Sequence, residues 1–477
     1  MKEYDVIAVG SGSAMNIVDP MLQKDQNLKV AVIDKDEPGG ICLTRGCIPS
    51  KLLIYPADVL RTIQKAHEFG ITVEVKNVDF TQVMKRMRTI IDQDISMIRE
   101  GLSSSPNIDY YPVPARFVDK YMMEVKGELI RGKMIFLCTG SKVTIPPIKG
   151  LSETGFLTSD TILHITKLPS SIAIVGGGYI AAEYGHFLSS MGSQVTIIGR
   201  NKIFLPNEEP EVSELATREL SKHLSILTNQ DVREAKRIPE GKKQLLTVDR
   251  ESGQATTITV DEIMIACGRG PNTDILQPEK GGVKTNEKGW IIVNEHLETT
   301  QPNVWAFGDA IGRYLFKHSA NEESLIVYQN AVAKRRAVMD YHAIPHAVFT
   351  NPEIASVGLK EKEAIDKHGE DNILIGFYRY ENTAKGQAMN ANRYFVKVIL
   401  ERPSLKILGA HIIGPHASIL IQEIINLMYT SDQTARPMLD AMHIHPALNE
   451  VVQRAFNSLM PAKQYHHELT QDTREFP

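Results

Sequence analysis

The feature that most limits what this chain can become is a pattern that occurs twice. Near residues 5–34, the apolar run Tyr4-Asp5-Val6-Ile7-Ala8-Val9 leads into Gly10 and Gly12, a helical stretch, and a second apolar run, Lys29 to Ile33, that ends in Asp34. Near residues 171–200 the order recurs: Ser171 to Val175, the turn Gly176-Gly177-Gly178, a helical stretch from Tyr179 to Met191, and Gln194 to Ile198 before Gly199-Arg200. A buried strand, a glycine turn, a helix and a second parallel strand form a unit in which backbone N–H groups approach a pyrophosphate at a positive helix end. Ordinary glycine turns in an α/β protein are the plain alternative. Two copies in register, each followed by a strand of the right length, favour two dinucleotide sites.

The copies are unequal. In the second, Gly176, Gly178 and Ala181 fall at the positions of G-x-G-x-x-A. In the first, Met15 stands where a third glycine would permit close strand–helix packing. Asp34 is placed to accept a hydrogen bond from a ribose hydroxyl. Arg200, with Lys202 nearby and no acid at the strand end, suits a 2′-phosphate and leans toward NADP over NAD, unless it is a solvated surface arginine. Two dinucleotides on one chain point to a flavin and a nicotinamide, because one can pass a hydride to the other.

At 477 residues the chain has room for about three domains of roughly 150 residues. With 53 Lys+Arg against 57 Asp+Glu it has no basic excess to hold nucleic acid or an anionic membrane surface. The most apolar stretch, Ala417 to Met428, is interrupted by Gln422, Glu423 and Asn426, so no membrane span is expected. A strand beginning at Tyr4 leaves no room for a signal peptide. Four cysteines in so long a chain do not make a secreted disulfide framework, and a cytoplasmic location is expected. Helices are expected from Leu52 to Phe69, Phe80 to Leu102 and Ala320 to Asp340, and strands at Lys133 to Leu137, Glu262 to Ala266, Tyr394 to Leu400 and Ile407 to Ile413. The segment Pro146-Pro147-Ile148-Lys149-Gly150 reads as a boundary.

Cys42 and Cys47 lie five apart in Gly39-Gly40-Ile41-Cys42-Leu43-Thr44-Arg45-Gly46-Cys47-Ile48-Pro49-Ser50-Lys51. Gly46 permits the bend that a disulfide between them needs, and Pro49 suits the first turn of a following helix. Cys47 would then stand at a positive helix end, where a thiolate is stabilised and its pKa falls. The alternatives are two buried cysteines or half a metal site, but no further Cys or His lies nearby at ligand spacing, and no metal is expected.

Cys-x4-Cys followed by Ile-Pro-Ser-Lys resembles the class I pyridine nucleotide–disulfide oxidoreductases, over essentially the whole chain. The resemblance implies an α/β fold with two Rossmann-like dinucleotide-binding domains and a C-terminal α+β dimerisation domain. An FAD-binding domain is expected from residues 1–149 and 270–343, an NAD(P)-binding domain from 150–269, and the dimerisation domain from 344–477. Cys42 would be the thiol that exchanges with substrate and Cys47 the one facing the flavin. Lys51 and Glu183 match an ion pair beside the flavin N5, with a plain buried salt bridge as the alternative. Tyr179 matches a tyrosine gating the nicotinamide pocket, with core packing as the alternative. Gly10, Gly12, Asp34, Gly40, Ala115, Thr139, Gly140, Ser141, Gly308, Asp309, Leu315 and His318 are expected at FAD; Gly176, Gly178, Tyr179, Ala181, Glu183, Arg200, Gly268 and Arg269 are expected at NAD or NADP. The sequence departs from the family's usual residues at Ile41, Thr44 and Arg45.

Near the C-terminus, His443-Ile444-His445-Pro446-Ala447-Leu448-Asn449-Glu450 resembles the family's His-x-His-Pro-x4-Glu motif. His445 would be the acid/base, with Glu450 on its other ring nitrogen; His443 reads as structural. In the family this histidine crosses a two-fold interface, which implies a homodimer. Dihydrolipoamide dehydrogenase is the first reading of the activity, with a lipoyl domain and a 2-oxo acid dehydrogenase complex as candidate partners. An NADPH-dependent reductase of a low-molecular-weight disulfide comes second, and a non-catalytic flavoprotein scaffold third. No cysteine follows Cys267, so the C-terminal pair of mercuric reductases is missing.

Overall fold

Lys2–Val9 and Val30–Ile33 are buried along their apolar lengths, as strands covered on both faces must be, and both lie in the parallel part of a mixed sheet. In the computed structural model, which describes residues 1–471, this sheet runs Ile108–Tyr111, Val30–Ile33, Lys2–Val9, Glu128–Leu137, Met122–Val125, Ala115–Asp119. Val304–Ala306 returns late in the chain to pair in parallel with Glu128–Leu137. Val9 pairs with Ile33 and with Leu137, and Leu137 pairs with Ala306. These strands therefore end at one edge, and Gly10, Asp34, Cys138 and Phe307 emerge from it together. Ligand sites of open α/β sheets form at such carboxyl edges.

The second sheet repeats the arrangement in the order Ser225–Leu227, Gln194–Ile198, Ser171–Val175, Glu262–Ile265, Leu157–Thr158, all parallel. An antiparallel sheet of Gln230–Arg237, Lys243–Asp249 and Ala255–Val260 stands beside it. The chain leaves the first unit through Ser141–Val143 and re-enters through Arg269–Pro271, and these strands pair with each other. The last block is an antiparallel sheet, Pro345–Val348, Ile354–Gly358, Ile407–Ile413, Phe395–Glu401, Ile373–Arg379, Leu459–Pro461. Leu420, Ile421, Ile424, Ile425 and Met428 form the buried stripe of the Ala417–Met428 helix against it. Residues 472–477 of the expected third domain lie outside the described residues.

Two helices depart from expectation. The one expected to begin near Leu52 begins at Cys47, directly after Gly46. Pro49 falls in its first turn, where a missing N–H costs nothing. The run expected to be helical from Ala320 to Asp340 is helical only over Lys317–Val327, followed by a π-type turn at Tyr328–Val332. Asn330 ends it: its Oδ1 accepts from the Ala337 N–H at 2.6 Å, and its Nδ2 donates to the carbonyls of His296 and Ala337 at 3.0 and 2.8 Å. A side-chain amide has replaced the helical ladder, and Lys334 follows at φ +55°.

Candidate active site

The glycine turns are built alike. Gly10 has φ +107° and Gly176 φ +142°, and a Cβ on either would stand 2.1 Å from the Cys138 carbonyl oxygen or 2.2 Å from that of Ala266. Only glycine lets these strand ends sit so close. Asp34 Oδ2 accepts from the Ser11 N–H and hydroxyl at 2.9 and 2.6 Å, and its Oδ1 accepts from the Asp36 N–H at 3.1 Å. The carboxylate thus braces the turn while lining the cavity beside it. Met15 is accommodated half-buried at the start of the Met15–Lys24 helix, which Ser13 and Asn16 tie to Asn321 at 3.1 and 3.2 Å.

Cys42 sits on the short helix Gly40–Thr44, and Cys47 opens the helix Cys47–Lys65. Both are free thiols, their side chains hydrogen-bonded to each other. That bond, the Lys317 charge, the Cys47 backbone N–H and the Lys51 charge together overcome burial and pull the Cys42 thiol down to about 7. The same bond, with burial, pushes Cys47 up. The N–H at the helix start lowers both thiols, as expected for Cys47, but at Cys47 the neighbouring Cys42 thiol and burial outweigh it. Arg45 pairs with Asp36 at 2.5 Å and Asp160 at 3.4 Å, so this departure from the family's usual residue pins the cysteine loop.

Lys51 Nζ lies 2.8 and 2.7 Å from the two carboxylate oxygens of Glu183 and 4.5 Å from the Phe349 ring centroid. Glu183 also accepts from the Phe349 N–H at 3.1 Å, so one carboxylate joins the cysteine helix, the Tyr179–Ser190 helix and the C-terminal block. Tyr179 packs its ring 6.2 Å from Phe316, which stacks on His318 at 5.3 Å and His346 at 5.9 Å. Behind them, Glu208 takes hydrogen bonds from His346 and Ser356, each at 2.7 Å. Burial alone would raise the Glu208 carboxyl, but these bonds hold it below its ordinary value. Sequence reasoning missed Phe316 as a ring partner, His346 and Glu208, because distant segments bring them together.

Ser141 donates to Asp309 at 2.5 Å and receives Arg269 Nε at 2.7 Å. Burial raises the Asp309 carboxyl against that bond and the Arg269 charge. Arg269 is therefore set against Ser141 and Asp309, residues expected at FAD. His318 donates to the Pro345 carbonyl at 2.8 Å, and burial lowers its pKa.

One cavity of about 1480 Å³ is lined by Gly10, Gly12, Asp34, Gly40, Cys42, Cys47, Lys51, Ala115, Thr139, Gly140, Gly176, Gly178, Tyr179, Glu183, Arg200, Gly268, Arg269, Gly308, Asp309, Leu315 and His318. Ser141 and Ala181 are buried behind it. His445 and Glu450 are elsewhere. His445 Nδ1 lies 3.0 and 3.1 Å from the Glu450 oxygens, with the imidazole 71% exposed. Its hydrogen bond holds the Glu450 carboxyl below the usual range. Met442 and Ile444 beside it are 99% and 76% exposed.

Among the described residues, Glu209, Glu211 and Glu361 are the carboxylates close enough to hold a metal, and Lys397 Nζ sits between them at 2.7, 2.8 and 2.6 Å. No described helix is long and apolar enough to cross a membrane.

Residues 4–334 match the pyridine nucleotide-disulphide oxidoreductase family, and residues 344–456 match its dimerisation domain. The chain belongs to that family. It is 35% identical to a mycothione reductase of Mycobacterium tuberculosis over 470 residues, covering 96% of this chain and all of the relative. It is 33% identical to a dihydrolipoyl dehydrogenase of Chlamydia pneumoniae, covering 94% and 95%. The solved HOCl-induced flavoprotein disulfide reductase RclA of Escherichia coli superposes with a TM-score of 0.82 at 27% identity, covering 96% of this chain and 99% of that one. The family uses FAD and NAD(P)H, and the residues fit: both glycine cradles open onto the cavity, and Thr139 Oγ1 and Asn272 Oδ1 are buried in its wall without a hydrogen-bond partner among the described residues.

Proposed function

We propose that the chain uses NAD(P)H to reduce a low-molecular-weight disulfide, exchanging at Cys42 and Cys47. The observation that carries this is the pair itself, two free thiols lining a cavity that both glycine turns open onto. Bound FAD would supply the two-electron chemistry linking NAD(P)H to a Cys42–Cys47 disulfide. Gly10, Gly12, Asp34, Gly40, Thr139 and Asp309 would hold it, while Gly176, Gly178, Tyr179 and Arg200 would hold the nicotinamide nucleotide. In the reduced pair Cys42 carries the thiolate. It attacks one substrate sulfur and expels the other, which takes a proton. Cys47 then loses its proton, attacks Cys42 and releases the second substrate thiol, so one disulfide is consumed, two thiols leave and the Cys42–Cys47 bond closes.

The proton on the departing sulfur comes from His445, whose tautomer Glu450 fixes. Within one chain this imidazole lies outside the cavity lining and is exposed, among exposed apolar residues on a dimerisation domain. A second copy's His445 would therefore complete each site.

Full-length similarity to mycothione reductase, the Tyr179–Phe316 contact and Arg200 favour the reductase reading. Dihydrolipoyl dehydrogenase is the second reading, supported by the Chlamydia relative and the His445–Glu450 pair. A lipoyl domain or a 2-oxo acid dehydrogenase complex belongs to that reading alone. The four cysteines, outside any disulfide framework, suit a reducing cytoplasm in either case. A steady-state screen of mycothiol disulfide, glutathione disulfide and lipoamide against NADPH and NADH tests the choice. Turnover of a low-molecular-weight thiol disulfide, with no nicotinamide reduced by dihydrolipoamide, is expected. Efficient NAD⁺ reduction by dihydrolipoamide alone would reverse it.

A further inference from the structure

Arg200 is one of a group. Its Nε lies 3.2 Å from Asp231 Oδ1, while Arg233 and Arg250 approach Asp231 Oδ2 at 3.0 and 3.7 Å. Three guanidiniums thus share one carboxylate, leaving a local excess of positive charge. Lys202 is not part of it, being paired with Glu251 at 3.0 Å.

The backbone fixes this group next to the second glycine turn. The Gly199 Cα lies 3.3 Å from where a Cβ on Gly177 would stand. Gly199 accepts from the Gln230 N–H at 2.9 Å, Arg250 donates its N–H to Asn229 at 2.9 Å, and the Arg250 guanidinium donates to the Arg200 carbonyl at 3.1 Å. Arg200, Asp231 and Arg233 line the cavity at this point. The carboxylate that would end the Gln194–Ile198 strand in an NAD site is replaced by Gly199-Arg200, and the acid present comes from another strand, already engaged by the arginines.

We propose that Arg200, Arg233 and Arg250, held in a fan by Asp231, receive the 2′-phosphate of the adenosine ribose, so that this chain discriminates for NADPH through arginines on the neighbouring antiparallel sheet as well as at the strand end. The proposal rests on the reading above that a nicotinamide nucleotide occupies the Gly176–Gly178 turn. A phosphate monoester brings up to two negative charges and several acceptors to a site whose own acid neutralises one of three cations. A ribose hydroxyl offers no such charge.

The test uses the FAD-loaded enzyme and two nucleotide probes, 2′,5′-ADP and 5′-ADP, titrated calorimetrically at low and high salt. Wild type should bind 2′,5′-ADP at least about tenfold more tightly than 5′-ADP, with the gap narrowing as salt rises. R200A, R233A and R250A should each lose roughly five- to tenfold in 2′,5′-ADP affinity and almost nothing for 5′-ADP. Equal binding of the two probes by wild type overturns the site. A loss confined to R200A overturns the fan. Neither result touches the disulfide reductase reading, which fails separately if no disulfide is reduced with either nicotinamide.

Discussion

Removing the Cys47 side chain as Cys47→Ala should make Cys42 less reactive in the reduced protein, by an amount the structure sets. The largest influence holding Cys42 near 7, against an ordinary value of 9.0, is the hydrogen bond from Cys47. Without it, and with Lys317 and Lys51 still opposing burial, Cys42 moves up toward its ordinary range. At pH 7 a thiol with a pKa of about 7 is half ionised and one near 9 about 1% ionised, a roughly fiftyfold loss of thiolate. The more basic thiolate is about eightfold the better nucleophile at a Brønsted slope near 0.45, so the net fall at pH 7 is about sixfold for full reversion. Iodoacetamide alkylation of Cys42, followed by peptide mass spectrometry from pH 5.5 to 9.5, reads both quantities. A midpoint near 7 should move up by one to two units in C47A, on the order of the shift described. A midpoint that does not move would refute the claim that the Cys47 thiol holds Cys42 down.

Other outcomes follow from the same geometry. Gly10→Ala places a Cβ against the Cys138 carbonyl at a positive φ, so the folded variant should purify without yellow FAD absorbance; normal flavin content would count against the first glycine cradle. If His445 acts across a two-fold interface, C42S and H445Q subunits, each inactive alone, should recover about a quarter of wild-type turnover when unfolded and refolded together, because half of the dimers carry one intact site; no recovery would place His445 in its own chain's site. Glu323 is raised by burial to about 7 while accepting from the Gly308 N–H at 2.6 Å and Tyr341 at 2.8 Å. The folded state keeps that proton up to about pH 7, whereas the unfolded chain loses it near 4.5. Stability should therefore fall as pH rises between those values, by about 3 kcal/mol. Glu323→Gln should flatten that loss in urea unfolding at pH 5 and pH 8; an equal slope in both proteins would contradict it.

What the sequence disclosed and what it hid divide along a physical line. The two strand–glycine–helix units are set by residues within about thirty positions of each other, so apolar runs and Gly10 or Gly176 sufficed to place them. The spacing of Cys42 and Cys47 around Gly46 likewise foretold a bend with both sulfurs together. Helix-end reasoning omitted the partner thiol: at Cys47 the Cys42 side chain and burial outweigh the helix-start N–H and the Lys51 charge. The Ala320 to Asp340 run has helical composition, but Asn330 bonds to a carbonyl at His296 that no local pattern announces. His346 with Glu208, and Arg233 and Arg250 with Arg200, meet only because separate sheets are stacked at one cavity. Each is ordinary in its own sequence neighbourhood.

NADPH is expected to open a bond between Cys42 and Cys47. Anaerobic titration of the air-oxidised, FAD-loaded protein with NADPH, quenched into a thiol alkylator and read by peptide mass spectrometry, tests this directly. One equivalent of NADPH per chain should convert both Cys42 and Cys47 from blocked to alkylated, leaving Cys138 and Cys267 unchanged. If the flavin bleaches while both sulfurs stay as they were, the cysteine pair is not where the electrons go.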